Sequence, residues 1–415
     1  MTPAPAAGAD RTIIIGAGQA GLQVAVELRQ AGYAGAVTLV GEEAAQPYHR
    51  PPLSKAYLTG EKSLDALQMR GQAFYSEQAI TFLPGLAATG IDRAARQVVL
   101  ADGTVLPYDH LVLATGAAAR PLSCPGHDLD GVMTLRSLDD ATALKARLAT
   151  ARHLVVVGGG FIGLEAAASA RKLGVAVSVL EMQDRLMARA VGPDVSQHFA
   201  AVHRDHGVDL RLGQGIAEVL GDAPGEARRA IAVRTTAGDT IPADLVLAGI
   251  GVTPNTALAL STGLPVNNGI VVDEAQRTGD SRIHALGDVC AFPAPHGAGL
   301  IRLESVQNAV DQAKVVAAGI IGQPARYQSV PWFWSDQYDL KLQMVGLSQG
   351  HDAVIERGSR DENRFSVFYM KAGRLIAIDS INRPADHMRG RKLLAPGAAP
   401  VGADGIDTLF AARRD

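Results

Sequence analysis

One glycine-rich pattern occurs twice in the chain, and each copy directly follows a short run of β-branched residues. The first copy contains Gly16, Gly18 and Gly21, and the second contains Gly158, Gly160 and Gly163. Glycines at this G-x-G-x-x-G spacing, placed between a buried strand and a helix, are typical of the turn that binds the pyrophosphate of a dinucleotide. The repeat therefore predicts an α/β protein with two Rossmann-like nucleotide-binding units.

An acidic residue follows the second strand of each unit. Glu42 lies just beyond the strand predicted at Ala36 to Val40, and Glu181 ends the corresponding strand of the second unit. A carboxylate at this place binds the ribose hydroxyls and repels a 2′-phosphate, so Glu181 favours NADH over NADPH. Arg185 and Arg189 follow closely, and they either hold such a phosphate or only solvate the loop.

Composition restricts the class of protein. Of the 415 residues, 47% are hydrophobic, which is enough for several folded domains, and the net charge of -3 argues against a nucleic-acid partner. The segment Met1 to Asp10 has no signal-peptide pattern, and no apolar run is long enough to cross a membrane. The expected location is therefore the cytoplasm, with no membrane contact.

The chain has two cysteines, Cys124 and Cys290, and they lie in different predicted segments. Two dinucleotide sites in one chain imply that one cofactor reduces the other, and the usual pair is a tightly bound FAD with a diffusible nicotinamide. No cysteine pair is available to act beside a flavin, and no cysteine cluster could hold an iron–sulfur centre. The electron acceptor must therefore bring its own redox centre.

Several longer motifs identify a resemblance that covers about residues 11 to 385. They are Arg50 to Lys55, Leu111 to Gly116, Gly158 to Glu165, Leu286 to Asp288, Arg302 to Ala309 and Pro331 to Tyr338. With these motifs the chain resembles the FAD-dependent NADH:ferredoxin reductases of the putidaredoxin reductase type. Members of this family pass single electrons to a [2Fe–2S] ferredoxin that serves a cytochrome P450 or a ring-hydroxylating oxygenase.

The resemblance implies a glutathione-reductase-like architecture with a further C-terminal α+β domain. The FAD-binding domain is expected to be discontinuous, at 1–115 and 249–325, with an NAD-binding domain at 116–248 between its two parts. A change of texture after Gly322, with clustered aromatics and alternating strands, predicts the C-terminal interface domain at 326–415. Its last stretch, Ala395 to Asp415, is rich in small residues and is expected to be loosely ordered.

The resemblance also implies roles for single residues. Lys55 would lie near the flavin N5 and pair with Glu165, and these two are the expected catalytic residues. Asp288 would bind the ribityl chain, Val306 would act through its backbone N–H at a helix start, and Trp334 would lie against the flavin ring. Ala20, Ala88 and Arg136 match FAD contacts of the family through the resemblance alone. Arg50, Ile162 and Arg189 are further expected cofactor-binding residues. Simpler readings remain: a loop lysine, a helix N-cap aspartate and a buried tryptophan.

Other functions stay open at this point. A flavoprotein that senses NADH, resembling apoptosis-inducing factor, is the alternative from a different class, and rubredoxin reductase and NADH oxidase are alternatives within the enzymes. Basic residues are expected to form a docking patch for an acidic ferredoxin: Lys314, Arg383, Arg389, Arg391 and Lys392. His203 and His206 are expected to be solvated helix histidines, and no metal site is predicted.

Overall fold

The computed structural model describes residues 10–222, 229–294 and 299–410. Within them the α-helices are α1 Gln19–Gln30, α2 Gln72–Glu77, α3 Leu138–Leu148, α4 Phe161–Lys172, α5 Pro193–Asp205, α6 Ala257–Ser261, α7 Val306–Ile320, α8 Pro384–Leu393 and α9 Ala403–Phe410. Short 3-10 turns span Pro51–Ser54, Asp65–Leu67 and Gly287–Val289.

The strands follow in chain order. They are β1 Arg11–Ile15, β2 Ala36–Val40, β3 Ile80–Leu83, β4 Ala88–Asp92, β5 Gln97–Leu100, β6 Val105–Pro107, β7 His110–Leu113, β8 Ala117–Ala119, β9 Val132–Thr134, β10 His153–Val157, β11 Ala176–Glu181, β12 Val208–Leu212, β13 Ile216–Gly221, β14 Ala230–Thr235, β15 Thr240–Pro242, β16 Leu245–Ala248, β17 Val252–Pro254, β18 Ile270–Val271, β19 Ile283–Ala285, β20 Cys290–Pro293, β21 Leu300–Ile301, β22 Trp332–Gln337, β23 Leu340–Gly346, β24 Ala353–Ser359, β25 Arg364–Lys371 and β26 Arg374–Ile381.

Contacts group the described residues into two units. The first unit comprises residues 1–49, 65–118 and 253–329, and the second comprises 50–64, 119–252 and 330–415, each within the described ranges. The sequence-based boundaries place 50–64 in the first domain, whereas its contacts lie in the second unit, because Ser54 and Lys55 bond there to Glu165. The division into three domains stays a prediction, and Met1 to Ala9 lie outside the described residues.

The first unit is built on a parallel sheet with strand order β19-β7-β1-β2-β3. β1 lies in the middle, and residues 12–15 of this strand are buried, because Ile14 packs in one hydrophobic cluster while Ile13 and Ile15 pack in another. Helix α7 packs against α1 on one face of the sheet. Ser305 caps α7 by accepting the Asn308 N–H at 3.0 Å, which fixes where this helix begins.

The second unit contains a matching parallel sheet of order β12-β11-β10-β16-β9. The centre of this sheet is β10, which leads into the second glycine motif as β1 leads into the first. The two sheets confirm the expected α/β class with two Rossmann-like folds.

A five-stranded antiparallel sheet of order β22-β23-β26-β25-β24 completes the second unit. Helix α8 packs on β26 and β23, and α4 packs against β22. The expectation of a loosely ordered end is wrong for residues 403–410, which form α9, because Ile406 and Phe410 are buried in the core of this sheet. The last five residues lie outside the described ranges.

Candidate functional site

In the first glycine motif, the packing of the backbone leaves no room for a side chain at two of the glycines. Gly16 has a φ of +107°, and a Cβ there would lie 2.1 Å from the Ala114 carbonyl oxygen; at Gly21 it would lie 1.9 Å from the Gly16 oxygen. Gly18 differs, because a Cβ there would meet no atom within 4 Å beyond its chain neighbours, and its φ of −84° suits any residue. The open space at Gly18 fits a pyrophosphate close to the backbone.

The second motif repeats this geometry. Gly158 has a φ of +110°, with a Cβ position 2.4 Å from the Gly249 carbonyl oxygen, and the Cβ position at Gly163 is 2.4 Å from the Gly158 oxygen. Gly160 is again free of neighbours within 4 Å. Helices α1 and α4 start after Gly18 and Gly160, and neither has a side-chain cap or an acidic residue in its first turn. Both helix starts therefore present N–H groups suited to an anion.

Glu181 lies against the second motif. Its Oε2 accepts the Gly159 N–H at 2.6 Å and its Oε1 accepts the Gln183 N–H at 2.8 Å, which holds the carboxylate at the end of β11. Glu42 is exposed beyond the end of β2. Each acid thus stands where the sequence places it, at the end of the strand next to its motif.

The two arginines after Glu181 have different surroundings. The Arg185 guanidinium donates to the carbonyl oxygens of Val191 at 2.8 Å and Ala188 at 2.7 Å, so it closes its own loop. Arg189 is exposed, as is Ile162 on the first turn of α4. Because two of its N–H groups are used, Arg185 is a poor phosphate ligand.

Lys55, Glu165 and two serines form a polar cluster inside the second unit. The Lys55 Nζ lies 3.0 Å from the Glu165 Oε1, and only 6% of the Glu165 side chain is exposed. The Ser54 hydroxyl donates to the Glu165 Oε2 at 2.6 Å, and the Ser335 hydroxyl donates to its Oε1 at 2.7 Å. The expected ion pair therefore forms, and three donors surround one buried carboxylate, as an ionised group needs.

Both serines escaped the sequence analysis. Ser54 precedes Lys55 and Ser335 follows Trp334, so each stood inside a quoted motif without any chemical signal of its own. Alternation along β22 was the available sign, since it directs Ser335 away from the face that carries Trp334. Ser335 is fully buried whereas Trp334 is half-buried.

Two of the expected FAD contacts meet in the second unit. The Arg50 guanidinium donates to the Arg136 carbonyl oxygen at 2.6 Å. The Arg136 N–H in turn donates to Asp140, whose carboxylate also forms the capping box of α3 with Ser137. The start of α3 thereby fixes the backbone that carries Arg136.

In the first unit, the turn that carries Asp288 lies against Ala20 through its glycine, Gly287. A Cβ on Gly287 would lie 3.0 Å from the Ala20 Cβ, so the turn Gly287–Val289 packs on the start of α1. The Asp288 carbonyl oxygen accepts from Arg302 at 3.0 Å, and the Gly287 N–H donates to Gln312 at 2.7 Å, which holds this turn.

Val306 and Ala88 complete the contacts expected in the first unit. Val306 is the first residue of α7, as expected. Ala88 begins β4 and packs against core residues, so its role rests on the resemblance alone.

Trp334 belongs to an aromatic cluster on the antiparallel sheet. Its ring centroid lies 5.6 Å from that of Trp332 and 6.3 Å from that of Phe333, and Phe333 lies 4.7 Å from Phe161 at the start of α4. A pocket of about 320 Å³ opens on the Trp334 face, lined by Trp334, Asp336, Lys341, Gln343, Asn382 and Pro384. Trp334 is the one aromatic residue among those that line this pocket, and four of the others are polar or charged.

The expectation of two solvated histidines is wrong for His203. It is fully buried beside Gln337 and Tyr338, and burial lowers the pKa of His203 to about 4. His206 stacks on the Tyr338 ring at 3.7 Å. Among residues 10–222, 229–294 and 299–410, no group of three or more metal-binding side chains gathers.

Neither cysteine is a candidate nucleophile. Cys290 is buried, and burial raises the pKa of its thiol to about 12; burial also raises the pKa of the half-buried Cys124. Thiolates are the reactive form, so thiol chemistry has no support here.

Most basic residues of the expected docking patch have partners of their own. Lys314 lies 3.0 Å from Asp311, and Arg383 pairs with Asp386. Arg389 and Arg391 lie over the rings of Phe410 and Trp332. Lys392 is exposed. The two ion pairs offset the charges of Lys314 and Arg383, whereas the ring contacts leave the charges of Arg389 and Arg391 in place.

Comparison with known proteins places these features in context. Residues 10–313 match the family described as pyridine nucleotide-disulphide oxidoreductase, and residues 332–414 match the family described as reductase C-terminal. Rhodocoxin reductase from Rhodococcus erythropolis is 50% identical over 398 residues, which are 96% of this chain and 92% of that protein.

Two solved structures are similar over nearly the whole chain. The ferredoxin reductase for the CYP199A2 system from Rhodopseudomonas palustris has a TM-score of 0.92 at 44% identity, covering 97% of this chain and 100% of that one. The reductase in the covalent putidaredoxin reductase–putidaredoxin complex has a TM-score of 0.91 at 39% identity, covering 98% and 99%. In the part of the chain that the structure describes, no helix is long and apolar enough to span a bilayer.

Proposed function

Because the chain belongs to the pyridine nucleotide-disulphide oxidoreductase family, we propose that it carries electrons from NADH through FAD to a [2Fe–2S] ferredoxin. This ferredoxin would serve a cytochrome P450 or a ring-hydroxylating oxygenase. The chain is an oxidoreductase, and relatives 40 to 50% identical to it over almost its whole length are ferredoxin reductases. FAD, when bound, supplies a carrier that accepts a hydride and releases electrons singly.

The observation that carries the proposal is the pair of glycine motifs, each with an open middle glycine, in a chain without a reactive thiol. Gly18 and Gly160 are not required by the packing of the protein, so a bound group explains them best. Two dinucleotides supply a route from NADH to flavin, and the high pKa of Cys290 leaves no thiolate to take the electrons onward. The electrons must therefore pass to a separate acceptor, and the ferredoxin reductases among the relatives favour a one-electron carrier.

We assign the two cofactors to the two units. In the first unit, FAD would be bound by Gly16, Gly18, Ala20, Gly21, Glu42, Ala88, Asp288 and Val306. In the second unit, NADH would be bound by Gly158, Gly160, Ile162, Gly163, Glu181 and Arg189. Arg50, Arg136 and Trp334 remain expected flavin contacts. Lys55 and Glu165 take part in the oxidation of NADH through their buried ion pair.

Glu181 supports NADH as the reductant. Its carboxylate is already held beside Gly159, where a ribose 2′-phosphate would meet a negative charge. The Arg185 guanidinium is held by two carbonyl oxygens of its own loop, which leaves Arg189 as the exposed one of the two arginines. The cytoplasm, where NADH is made, is the proposed location, and the two unpaired cysteines fit a reducing compartment.

An acceptor comparison tests this function. The purified yellow protein is mixed with NADH and cytochrome c, and haem reduction is followed with a [2Fe–2S] ferredoxin, with rubredoxin, or with neither. We expect fast reduction only with the ferredoxin. Fast reduction with rubredoxin alone, or rapid oxygen consumption without a carrier, would support the rubredoxin reductase or NADH oxidase alternative. Slow turnover with every acceptor, together with an NADH-dependent change in oligomeric state, would support the NADH sensor.

The docking surface needs its own variants. Charge reversal at the exposed Lys392 is expected to raise the Michaelis constant for ferredoxin while flavin reduction by NADH stays unchanged. Lys314 is the less informative position, since a glutamate there would also face Asp311. An unchanged Michaelis constant in Lys392→Glu argues against a docking role for this end of α8.

A further inference from the structure

A continuous series of hydrogen bonds leads from Glu165 to a buried imidazole in the second unit. The Ser335 hydroxyl donates to the Glu165 Oε1 at 2.7 Å, and the Gln337 Nε2 donates to the Ser335 oxygen at 3.1 Å. The Gln337 Oε1 lies 2.9 Å from the His203 Nε2, and the Tyr338 hydroxyl lies 3.3 Å from the His203 Nδ1. We call Ser335, Gln337 and His203 the relay.

The charged end of the relay fixes the direction of every bond. An ionised Glu165 only accepts, so the Ser335 hydroxyl must donate to it and must accept from the Gln337 amide nitrogen. The Gln337 oxygen then accepts, which requires a hydrogen on the His203 Nε2. The Nδ1 is left as the acceptor for the Tyr338 hydroxyl. All donors therefore point toward Glu165.

The three residues of the relay are buried, so the direction of their hydrogen bonds affects the group at the end. Ser335, Gln337 and His203 are fully buried, and burial lowers the pKa of His203 to about 4, so the imidazole is neutral near pH 7. A neutral imidazole donates at one nitrogen and accepts at the other, as the relay requires. In a buried site, a complete series of hydrogen bonds stabilises the charged group at its end. A buried polar group that lacks one of its hydrogen bonds lowers the stability of the fold.

The fold explains why these three residues meet Glu165. Ser335 and Gln337 alternate along β22 with Trp334 and Asp336, so the relay occupies one face of the strand and the pocket residues occupy the other. Helix α4, which carries Glu165, packs against the same strand. One strand thus links the aromatic pocket face to the ion pair.

We propose that Ser335, Gln337 and His203 are positioning residues that hold the Glu165 carboxylate in the one orientation that binds Lys55. They act through Glu165 and move no proton. This inference rests on the proposed function, in which Lys55 and Glu165 take part in the oxidation of NADH. Loss of the Ser335 hydroxyl would leave the Glu165 Oε1 with Lys55 as its remaining partner among the bonds described above.

The first test reads the relay without any turnover. The full FAD-loaded chain is labelled with ¹⁵N-histidine, and the His203 ring signals are assigned by their loss in His203→Asn. We expect His203 to stay neutral between about pH 5 and pH 9 and to carry its hydrogen on Nε2. In Gln337→Met the Nε2 acceptor is gone, so the Nε2–H tautomer loses its preference. A His203 that titrates near its ordinary pKa, or that carries its hydrogen on Nδ1, would overturn the relay.

The second test is a double-mutant cycle. The rate of anaerobic flavin reduction at saturating NADH is measured in Ser335→Ala, in Glu165→Gln and in the double variant. We expect Ser335→Ala to slow the reduction about tenfold with little change in the Kd for NADH, because the carboxylate is misplaced. The same change should add nothing in the Glu165→Gln background. Ser335→Thr, which keeps the hydroxyl, should recover most of the rate.

A matched control separates the relay from packing. Ser366 is an equally buried serine of the same sheet that bonds to Ser380 and Asp386 instead. Ser366→Ala should lower stability and leave the rate of flavin reduction unchanged. Equal losses from Ser335→Ala in both backgrounds would contradict the proposal. A wild-type flavin that NADH does not bleach would contradict the proposed function, and the histidine spectra would then decide the relay by themselves.

Discussion

The Lys55 ammonium lies 3.0 Å from the Glu165 carboxylate, and the carboxylate has further hydrogen-bond donors around it. Glu165 also accepts hydrogen bonds from the hydroxyls of Ser54 and Ser335. One buried acid thus joins three segments of the second unit: the turn Pro51–Ser54, helix α4 and strand β22. The carboxylate organises this cluster, and the lysine is one of its ligands.

Removal of the acid should therefore cost more stability than removal of the lysine. Glu165→Leu leaves two hydroxyls and an ammonium without their shared acceptor, and we expect the free energy of unfolding to fall by about 3 kcal/mol. Lys55→Met leaves the buried Glu165 carboxylate without its counter-charge but with both serine donors, so its cost is expected to be smaller, about 2 kcal/mol. Urea unfolding followed by tryptophan fluorescence measures both. Equal losses would show that the lysine holds the cluster together.

Alanine substitutions at different glycines of one motif are expected to have different effects, one on cofactor binding and the other on folding. Gly18→Ala introduces a Cβ that meets no protein atom, so the fold should persist while FAD is lost during purification. Gly16→Ala places a Cβ 2.1 Å from the Ala114 oxygen at a φ of +107°, and this should destabilise the chain by on the order of 3 kcal/mol or more. Flavin content and melting temperature separate the two effects.

The second motif supplies the matched pair. Gly160→Ala should leave folding and flavin content normal and weaken NADH binding, whereas Gly158→Ala should impair folding. A Gly18→Ala protein that stays as yellow as the wild type would refute the pyrophosphate assignment of the first motif.

Much of the fold was readable from local patterns. The strand at Ala36–Val40 has the bounds expected from the sequence, because a short β-branched run between turn residues is a strong local signal. The glycines were readable for the same reason. Ser335, Gln337 and His203 were not, since their roles arise only when β22 packs against α4 and α5, and local sequence carries no sign of that contact.

The hydrogen-bond partners of Arg185 could not be predicted from the sequence either. A cation shortly after the acid of a nucleotide site is equally suited to a phosphate and to nearby carbonyl oxygens, and only the loop geometry decides. In the structure the carbonyl oxygens of Ala188 and Val191 take the guanidinium.

Glu181 is expected to set the preference for NADH. Glu181→Ser removes the carboxylate beside Gly159, so kcat/KM with NADH should fall and the ratio of NADH to NADPH efficiency should narrow by about 10- to 100-fold. Steady-state reduction of ferricyanide with each cofactor measures the ratio. Arg185→Met is the control, because its loss should lower stability and leave the ratio unchanged. If Glu181→Ser does not alter the ratio of NADH to NADPH efficiency, the ribose of the cofactor does not bind beside Glu181.

Asp379 predicts a pH dependence of stability. Burial raises the pKa of Asp379 to about 7, although the Tyr369 hydroxyl donates to its carboxylate at 2.7 Å. The folded chain therefore holds this proton more tightly than the unfolded chain, whose aspartates titrate near pH 4. The contribution of Asp379 to the free energy of unfolding is fully present below about pH 4 and is lost as the pH rises to about 7.

Asp379→Asn removes this titration and keeps the side-chain shape. The stability of the variant relative to the wild type should therefore improve by roughly 1–3 kcal/mol between about pH 4 and pH 8. Urea unfolding of both proteins across that range is the measurement. A difference that does not vary with pH would show that Asp379 is ionised in the folded chain throughout.

The account as a whole depends on the passage of electrons from NADH through this chain to an iron–sulfur protein. Its most direct test is an anaerobic titration of the FAD-loaded protein with NADH, followed by addition of an oxidised [2Fe–2S] ferredoxin. We expect NADH to bleach the flavin, and the ferredoxin to restore its colour while about two ferredoxins are reduced per flavin. A flavin that NADH bleaches but that no [2Fe–2S] ferredoxin reoxidises would contradict the account.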